Sequence, residues 1–472
     1  MSLPSLVPLL VMWPLAAAPT PAPGAADPLA SAGDEEDAAA TGEAATTSAS
    51  PTSSSPSPAS SSATTTSTSS TASPPSTAST TTSSSAPPST KTAEDDDADP
   101  LADGVADPRP WAVGGFVDTQ YILNTNFPDN HVFRGTAVSS RTGEFSPNLI
   151  VAYFRHDPTK RAPYILEVAL QYGAAVDALY AAEPDPGGDD GRPFGVEVWK
   201  HIGKAHAGFR LGKTEVDAGL MSAPTHFGSF WTKDNWHSSI TWGYSSVPFY
   251  LAGLRVQHQF NDAFAIAGWV VNGYGTMGDA NKAPSGMVSL FITPTDGLLI
   301  TQNVYAGPEG QDLHPRAWRL LTDTQIIYDT ERWSFAAVGD FGREQRTLDP
   351  GQPVALWANG MVSARVHLLG ERHRWGIAAR PEIFWERGGV IFGGPDPEKT
   401  LIAGTFTNDV RLWDALLLRV EYRYDQAFAA SGFYYRGAAV TDDAPGLARR
   451  QHSVIFNVIG YFERLLPEGR RR

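Results

Sequence analysis

What the sequence lacks already narrows the chemistry that it can support. None of its 472 residues is cysteine, which excludes disulfides, cysteine-based zinc and iron–sulfur sites, and thiol nucleophiles. No apolar run reaches the roughly 18 residues that a membrane-spanning helix requires. The 36 basic residues are outnumbered by 51 acidic ones, for a net charge of −15. Without a basic excess to neutralise phosphates, the chain is not expected to bind nucleic acid.

The acidic excess is concentrated near the N-terminus. Residues 1–110 hold 13 acidic side chains against Lys91 and Arg109, a net charge of −11. The stretch 5–18 is a short apolar segment that ends in small residues, as in the hydrophobic part of a secretory signal. We therefore predict a signal peptide over 1–26, with an unstructured apolar N-terminus as the alternative.

A segment of very low complexity follows. Residues 44–90 are all Ala, Ser, Thr or Pro, and acidic patches lie on both sides of them. Such a composition has almost no large apolar side chain to bury, so nothing offsets the entropy cost of ordering it. The sequence predicts a disordered, extended tether over 27–108.

From Trp111 onward the pattern has a period of two, which indicates β-strands. In the stretch 418–424, Leu, Val and Tyr side chains alternate with the charged Arg419, Glu421 and Arg423. The same alternation occurs at 166–172, 254–257 and 362–368. Successive side chains of a strand point to opposite faces, so each of these strands has one apolar and one polar face.

The connections between these strands alternate between short and long. Seven short turns rich in Gly, Pro, Asp and Asn are predicted at 157–160, 204–206, 261–262, 294–297, 329–332, 370–373 and 413–415. Eight long polar connections are predicted at 125–147, 174–194, 220–249, 274–284, 307–317, 344–354, 387–400 and 425–451. Fifteen connections imply sixteen strands.

This arrangement is typical of a transmembrane antiparallel up-and-down β-barrel, and we predict an all-β barrel over 109–472. A β-propeller would show a repeated blade motif, and a β-sandwich would not explain the alternating connection lengths. An even number of strands places both chain ends on one side of the membrane. The tether and the C-terminus are therefore expected in the periplasm, with the short turns.

Several stretches together resemble the OmpL-like β-barrel porin family. They are Lys233–Trp236, Val247–Arg255, Val270–Tyr274, Thr293–Asp296, Ala306–Glu309 and Leu418–Asp425, with Gly115–Asp118 and Asn148–Leu149 in the first two strands. The resemblance covers roughly 111–462 and none of the tether. It differs at the C-terminus, where ten residues follow Tyr461 and Phe462, whereas family members usually end at the terminal aromatic.

The resemblance implies a porin in the outer membrane that passes small hydrophilic solutes or ions, with outer-membrane lipid around it. Porins of this size are often trimers, so a homotrimer is one expected assembly. The alternative is a non-conducting barrel that anchors the periplasmic tether. Neither function requires a cofactor.

Motifs for catalysis or metal binding are weak, and the sequence predicts no enzyme and no metal site. Asp340-Phe341-Gly342 matches a kinase tripeptide but lies in a predicted strand without the accompanying loops. A hydrolase would need a nucleophile, a base and an acid, for which the candidates are Ser238, His226 or His237, and Asp234. Two weaker metal candidates are the histidine pair His367 and His373 and the loop acids Asp185, Asp189 and Asp190.

The predicted functional residues instead line the barrel interior. An Arg facing lipid near the membrane midplane would cost about 2–4 kcal/mol, so charged strand residues are expected to face inward. The predicted pore-lining residues are Glu167, Lys213, Glu215, Asp217, Arg255, Arg319, Asp323, Arg365, Arg380, Glu382, Asp409, Arg411, Arg419, Glu421 and Arg423.

The long connection 220–249 is expected to fold inward and form a constriction, as a loop in this position does in porins generally. Its candidate residues are Trp231, Lys233, Asp234, Trp236, Trp242 and Tyr244. The alternative is that this connection caps the outer mouth of the barrel.

Overall fold

The computed structural model describes residues 110–181, 196–279, 283–309, 317–345, 354–368 and 374–466. The predicted signal peptide 1–26 and tether 27–108 lie outside the described residues. From residue 110 onward, every described segment contributes to a single β-sheet and its connections. Its strands are β1 Trp111–Asn124, β2 Phe145–His156, β3 Tyr164–Tyr172, β4 Ile202–Leu211, β5 Thr214–Ser222, β6 Tyr250–Asn261, β7 Phe264–Val271, β8 Ser285–Thr295, β9 Leu298–Pro308, β10 Trp318–Asp329, β11 Trp333–Glu344, β12 Ala355–His367, β13 Trp375–Arg387, β14 Glu398–Leu412, β15 Leu416–Phe428 and β16 Arg450–Leu466.

The sixteen strands close into a barrel. Each strand pairs antiparallel with its neighbours in sequence, and β1 also pairs with β16. At the closure, Phe116 lies opposite Tyr461 on one side and Val151 on the other. A closed sheet leaves no strand edge unpaired, as the interior of a membrane requires. The predicted all-β antiparallel barrel of sixteen strands is confirmed.

The period-two pattern determines which side chains face outward. On β15, Leu418, Val420 and Tyr422 are exposed on the outer surface, while Arg419 and Glu421 are buried inside. Because a side chain alternates faces with each residue, this one strand presents apolar groups to lipid and charges to the interior. The same alternation of exposed apolar and buried polar residues runs through β10, β11 and β13.

One of the predicted turns is wrong. Residues 204–206 lie within β4, and the chain reverses between β4 and β5 at Gly212 and Lys213 instead. Gly212 has a φ of 59°, a conformation that glycine adopts without steric cost. Lys204 and His206 are polar because they face the barrel interior from β4, where their side chains bind Glu167.

The other described short turns occur where the sequence predicts them, and 369–373 lies outside the described residues. The long connections begin and end near the predicted positions, with 182–195, 280–282, 310–316 and 346–353 outside the described residues. Helical segments occur only in the long connections among the residues described. They are α1 Ala174–Leu179, α2 Val196–Trp199 and 3-10 turns at Thr232–Asp234 and Tyr244–Ser246. None of these described helices has the length and hydrophobicity needed to cross a bilayer.

The connection between β5 and β6, residues 223–249, folds into the barrel, and we call it the internal loop. Most of its residues are buried, including Trp231, His237 and Trp242. Trp242 belongs to an apolar cluster with Phe384 on β13 and with Phe433 and Tyr434 from the β15–β16 connection. The barrel interior is thus occupied by a mixture of apolar clusters and charged wall residues.

Candidate functional site: the barrel interior

The internal loop is bound to the barrel wall through its own backbone. The backbone nitrogens of Ser238 and Ser239 donate to the carboxylate of Glu421 on β15 at 2.6 and 3.0 Å. Thr407 on β14 donates its hydroxyl to the same carboxylate at 2.7 Å. A loop without regular structure has many unpaired backbone groups, and in a buried setting each needs a partner. The inward-facing wall residues supply these partners.

Wall arginines bind the loop's carbonyl groups. Arg419 donates to the carbonyls of Thr232 and His237 at 3.1 and 3.2 Å. Arg380 on β13 donates to the carbonyl of Ser239 at 3.0 Å. Because the guanidinium group carries five donors in a planar fork, one arginine can satisfy several carbonyls at once.

A compact ion-pair network lies above these contacts, toward the long connections. Arg423 pairs with Glu382 at 2.7 Å and with Asp425 at 2.8 Å. Glu382 also accepts the backbone amide of Trp242 at 2.7 Å, and Asp425 accepts its indole N–H at 3.2 Å. All of these groups are buried. Their opposite charges compensate one another where water does not reach them.

Aromatic side chains of the internal loop pack against the opposite part of the wall. Trp231 stacks on Tyr153 of β2 with ring centroids 5.0 Å apart and meets Phe116 of β1 edge-on at 6.1 Å. The Lys204 ammonium lies 4.5 Å from the Trp231 ring centroid, a cation–π contact. Beside it, Lys233 and Asp234 pair with each other at 2.7 Å.

The remaining constriction candidates are also inside the barrel. Trp236 packs edge-on against Phe227 at 4.6 Å. Tyr244 stacks on His226 at 5.6 Å and contacts Phe249 at 4.3 Å. Trp236 also packs on an apolar cluster of β11 and β12, so the internal loop contacts this part of the wall as well as β1 and β2.

The charged residues on the inner face of β3–β6 are more exposed to solvent than those on the inner face of β13–β15. Glu167 pairs with Lys204 at 3.0 Å, and Arg255 pairs with Asp217 at 2.6 Å and with Glu215 at 3.3 Å. The Arg255 side chain is 22% exposed, whereas that of Arg423 has no exposed surface. Solvent thus reaches the charged groups on one side of the interior.

The predicted pore-lining residues fall into three groups. Ten are buried in the barrel interior: Asp217, Arg319, Asp323, Arg365, Arg380, Glu382, Asp409, Arg419, Glu421 and Arg423. Glu167, Glu215, Arg255 and Arg411 keep partial exposure. Lys213 does not lie on the wall: it occupies the β4–β5 turn, where it is exposed and its ammonium donates to the Phe260 carbonyl. The misplaced turn accounts for this difference.

The residues considered for a hydrolase do not form a catalytic triad. Ser238 donates its hydroxyl to Asn457, and Asp234 pairs with Lys233. The ring nitrogens of His237 are 2.7 Å from the Thr407 hydroxyl and 2.9 Å from that of Ser363. The possible Ca²⁺ residues Asp185, Asp189 and Asp190 lie outside the described residues, as does His373 of the histidine pair.

A different cluster brings together three potential metal ligands. His226 of the internal loop meets Asp323 of β10 and Asp340 of β11, with one ligand atom of each within 4.8 Å of the others. The Nδ1 of His226 lies 2.8 Å from Asp340, and its Nε2 lies 2.6 Å from the Thr241 hydroxyl. Sequence analysis missed this cluster because His226 is 97 and 114 residues away from the two aspartates in the chain.

Sequence analysis also missed several inward-facing polar residues. They are Asp118, Lys204, His206, Asp340, Glu344, Glu386, Lys399, Asp425 and Asn457. Strand parity would have indicated Asp425, which is two residues beyond Arg423 on β15. Lys204 and His206 were not predicted to face inward, because the sequence analysis placed a turn at 204–206.

Comparison with known proteins agrees with this architecture. The model of the family described as "Putative beta-barrel porin-2, OmpL-like" matches residues 110–452. A search of curated proteins finds no match. Similar solved structures include an anion-selective porin from Comamonas acidovorans, at 9% identity and a TM-score of 0.49, covering 75% of this chain and 99% of the other.

Two further solved structures have similar scores. The outer membrane channel DcaP of Acinetobacter baumannii shares 7% identity at a TM-score of 0.48, covering 75% of this chain and 96% of the other. OmpT of Vibrio cholerae shares 8% identity at a TM-score of 0.46, covering 76% and 99%. These likenesses are too distant to carry an argument about function. The family model, however, spans well over half of the sequence, and the chain belongs to this OmpL-like β-barrel porin family of the outer membrane.

Proposed function

We propose that the protein is a porin through which small hydrophilic solutes and ions cross the outer membrane by passive diffusion, without a chemical step. The observation that carries this proposal is the partly solvent-exposed, charged wall of β3–β6 inside a closed barrel. Charged groups that keep contact with water provide a polar surface along which hydrated solutes can move.

The proposed route lies between the internal loop and this wall. Many of the hydrogen bonds that hold the loop involve inward-facing residues of β9–β16, for example from Asn303 on β9 to the Pro224 carbonyl and from Ser238 to Asn457 on β16. Others join the loop to the β1–β2 and β7–β8 connections, and none of these involves a charged residue of β3–β6. The charges on the opposite wall, among them Arg255 and Glu215, are therefore left beside solvent.

The proposed constriction is formed by Trp231, Lys233 and Asp234 together with Lys204, whose ammonium contacts the Trp231 ring. Trp231 is fixed by Tyr153 and Phe116 on two neighbouring strands, and the lysine and aspartate present one charge of each sign. A narrow passage with fixed charges of both signs and apolar sides focuses the electric field on passing ions. Trp236, Trp242 and Tyr244 pack on other walls and would hold the loop rather than contact the solute.

Single-channel recording tests this function. The full chain is refolded in detergent and added to planar bilayers, with detergent alone as the control. Discrete conductance steps that appear only with protein would support the porin. A refolded chain that inserts but never conducts would contradict it.

The second candidate function is a non-conducting barrel that anchors the tether. The observation in its favour is that the internal loop contacts both sides of the interior, with Trp231 on β1–β2 and Trp242 on the network of β13 and β15. Such a loop could close the barrel permanently. This candidate predicts silent but fully inserted protein in the recording.

The orientation and assembly belong to the same proposal. The short turns, the tether and the C-terminus would face the periplasm, and the long connections would face outward. Protease added to intact cells should then cleave the long connections alone, and cleavage confined to the short turns would reverse the orientation. We also propose a homotrimer, which light scattering of the detergent-solubilised protein tests by mass.

A further inference from the structure

Three ligand-type side chains converge where the internal loop enters the barrel. His226 belongs to the loop, while Asp323 and Asp340 face inward from the paired strands β10 and β11. All three are buried, and the imidazole Nδ1 of His226 lies 2.8 Å from Oδ2 of Asp340. The cluster is the point at which the loop and this wall meet through metal-ligating groups.

The backbone at His226 is arranged around the two carboxyl groups. Its φ is 56°, a left-handed conformation that is uncommon for a residue other than glycine. In this conformation the His226 backbone nitrogen donates to Asp323 at 2.9 Å while its ring meets Asp340. Strained conformations of this kind persist where the surrounding contacts determine them, and they are concentrated at functional positions.

The two carboxyl groups need a positive partner. Asp323 and Asp340 are directly opposite each other in the strand register, and a carboxylate oxygen of each lies within 4.8 Å of the other. Their other side-chain partners include the neutral amides of Asn303, Gln325 and Asn359. Two buried carboxyl groups this close can both stay ionised only if a cation neutralises them, and without a cation one of them is protonated.

One acceptor in the cluster is left without a donor. Oδ1 of Asp340 is buried and has no hydrogen-bond partner among the described residues, whereas its Oδ2 is bonded to both His226 and Asn359. The amide oxygens of Asn303 and Asn359 are likewise buried without a donor. Oxygen atoms without hydrogen-bond donors are suited to a bound cation, which interacts with acceptors only.

We propose that His226, Asp323 and Asp340 bind a divalent transition-metal ion such as Zn²⁺ or Mn²⁺. One imidazole nitrogen and two carboxylates form a donor set for these ions, and three protein ligands leave a further coordination position. The ion would neutralise the paired carboxylates and join the internal loop to β10 and β11. Neither the sequence motifs nor the family match assigns a metal to this chain, and the proposal does not depend on whether the barrel conducts.

Metal titration of the full chain tests the proposal. The detergent-refolded protein is treated with EDTA, dialysed, and titrated with Zn²⁺ and with Mn²⁺ in an isothermal calorimeter. We expect one ion per chain, and we expect affinity to fall at least about tenfold in Asp340→Asn and in Asp323→Asn. Asp118→Asn is the matched control, because Asp118 is also a buried strand carboxyl bonded to amides but belongs to no cluster of potential metal ligands among the described residues. Its affinity should equal that of the unmodified chain.

If the two strand variants do not fold, a variant of the internal loop tests the site instead. His226→Gln leaves every strand unchanged, and the shift in gel migration between boiled and unboiled samples reports whether the barrel has formed. A folded His226→Gln chain with weakened metal binding supports the site. Absence of saturable binding to the unmodified chain would overturn it, since the two carboxyl groups would then share a proton. Equal binding by all folded variants would place the ion elsewhere and overturn it too.

Discussion

The carboxylate of Glu421 on β15 lies 2.6 Å from the backbone nitrogen of Ser238 in the internal loop. The contact joins a wall residue to a segment 183 positions away in the chain. Many of the charged residues that face inward from β9–β16 make contacts of this type. In this part of the barrel the charged wall serves to hold the internal loop.

Replacing Glu421 with Gln should loosen the internal loop. The carboxylate accepts the two backbone amides of Ser238 and Ser239 and the hydroxyls of Ser239 and Thr407, and an amide side chain offers only one oxygen. Leaving a buried donor unpaired costs about 1–3 kcal/mol, so Glu421→Gln should lower the free energy of unfolding by at least that amount. Urea titration followed by the gel shift of unboiled samples measures the change.

Glu331→Gln is the matched control for that change. Glu331 is an exposed residue of the β10–β11 turn, and its substitution should leave the urea midpoint unchanged. If the midpoint moves equally in both variants, the loop contact does not contribute to stability.

Adjacent residues on β6 should differ in their access to water. The outward-facing Leu254 is 42% exposed on the barrel surface, where lipid surrounds it, while the Arg255 side chain is inside and 22% exposed. Since the chain has no native cysteine, each position can carry the only thiol. A membrane-impermeant thiol reagent should modify Arg255→Cys in the inserted protein and leave Leu254→Cys unmodified. Labelling of Leu254→Cys alone would mean that the register assigned to β6 is wrong.

Much of the barrel follows from local sequence. The alternation of apolar and charged residues at Leu418–Tyr424 determines which face meets lipid, so the inward orientation of Arg419 and Glu421 could be predicted without tertiary information. The strand count was predicted from the number of turns. It is correct despite the error at 204–206, because the turn lies at 212–213 instead and the number of turns is unchanged.

The contents of the interior were harder to predict. The alternation of faces along a strand predicts that Arg423 and Arg255 both face inward. It does not predict that the internal loop covers Arg423 and leaves Arg255 partly exposed. That difference depends on long-range contacts such as Arg423 with Ile240. The cluster of His226, Asp323 and Asp340 depends on the path of the loop and on strand register together. Neither has a local signal in the sequence.

Acid should destabilise the internal loop through His237. Burial, together with nearby arginines, holds the pKa of this imidazole well below its usual value, so the ring is neutral in the folded protein. The charged groups facing it are Arg365, Arg380, Arg419, Arg423 and Glu421. In the unfolded chain the ring takes up a proton near pH 6.5. The stability contributed by the neutral ring is therefore present above about pH 6.5 and is lost as the pH falls below it.

We expect the urea midpoint to fall less between pH 7 and pH 5 in His237→Gln than in the unmodified chain. His452→Gln is the control, because His452 is exposed on β16 and its replacement should leave the slope unchanged. The quantity to compare is the change of the urea midpoint with pH, because removing the His237 hydrogen bonds also lowers the midpoint itself at every pH. An identical slope in all three proteins would exclude His237 as the group responsible.

The last prediction concerns two arginines that share the inward orientation but differ in their surroundings. Arg255 lies beside solvent with Asp217 and Glu215, so Arg255→Gln leaves a net excess of negative charge on the proposed route. The reversal potential across a KCl gradient should therefore shift toward cations, with only a modest change in conductance. Arg419 is buried against the internal loop and near Asp409 at 3.8 Å. Arg419→Gln should shift the reversal potential less but lower the urea midpoint more, because it leaves the loop carbonyls without donors. If the two substitutions shift the reversal potential equally, the route does not follow the β3–β6 wall.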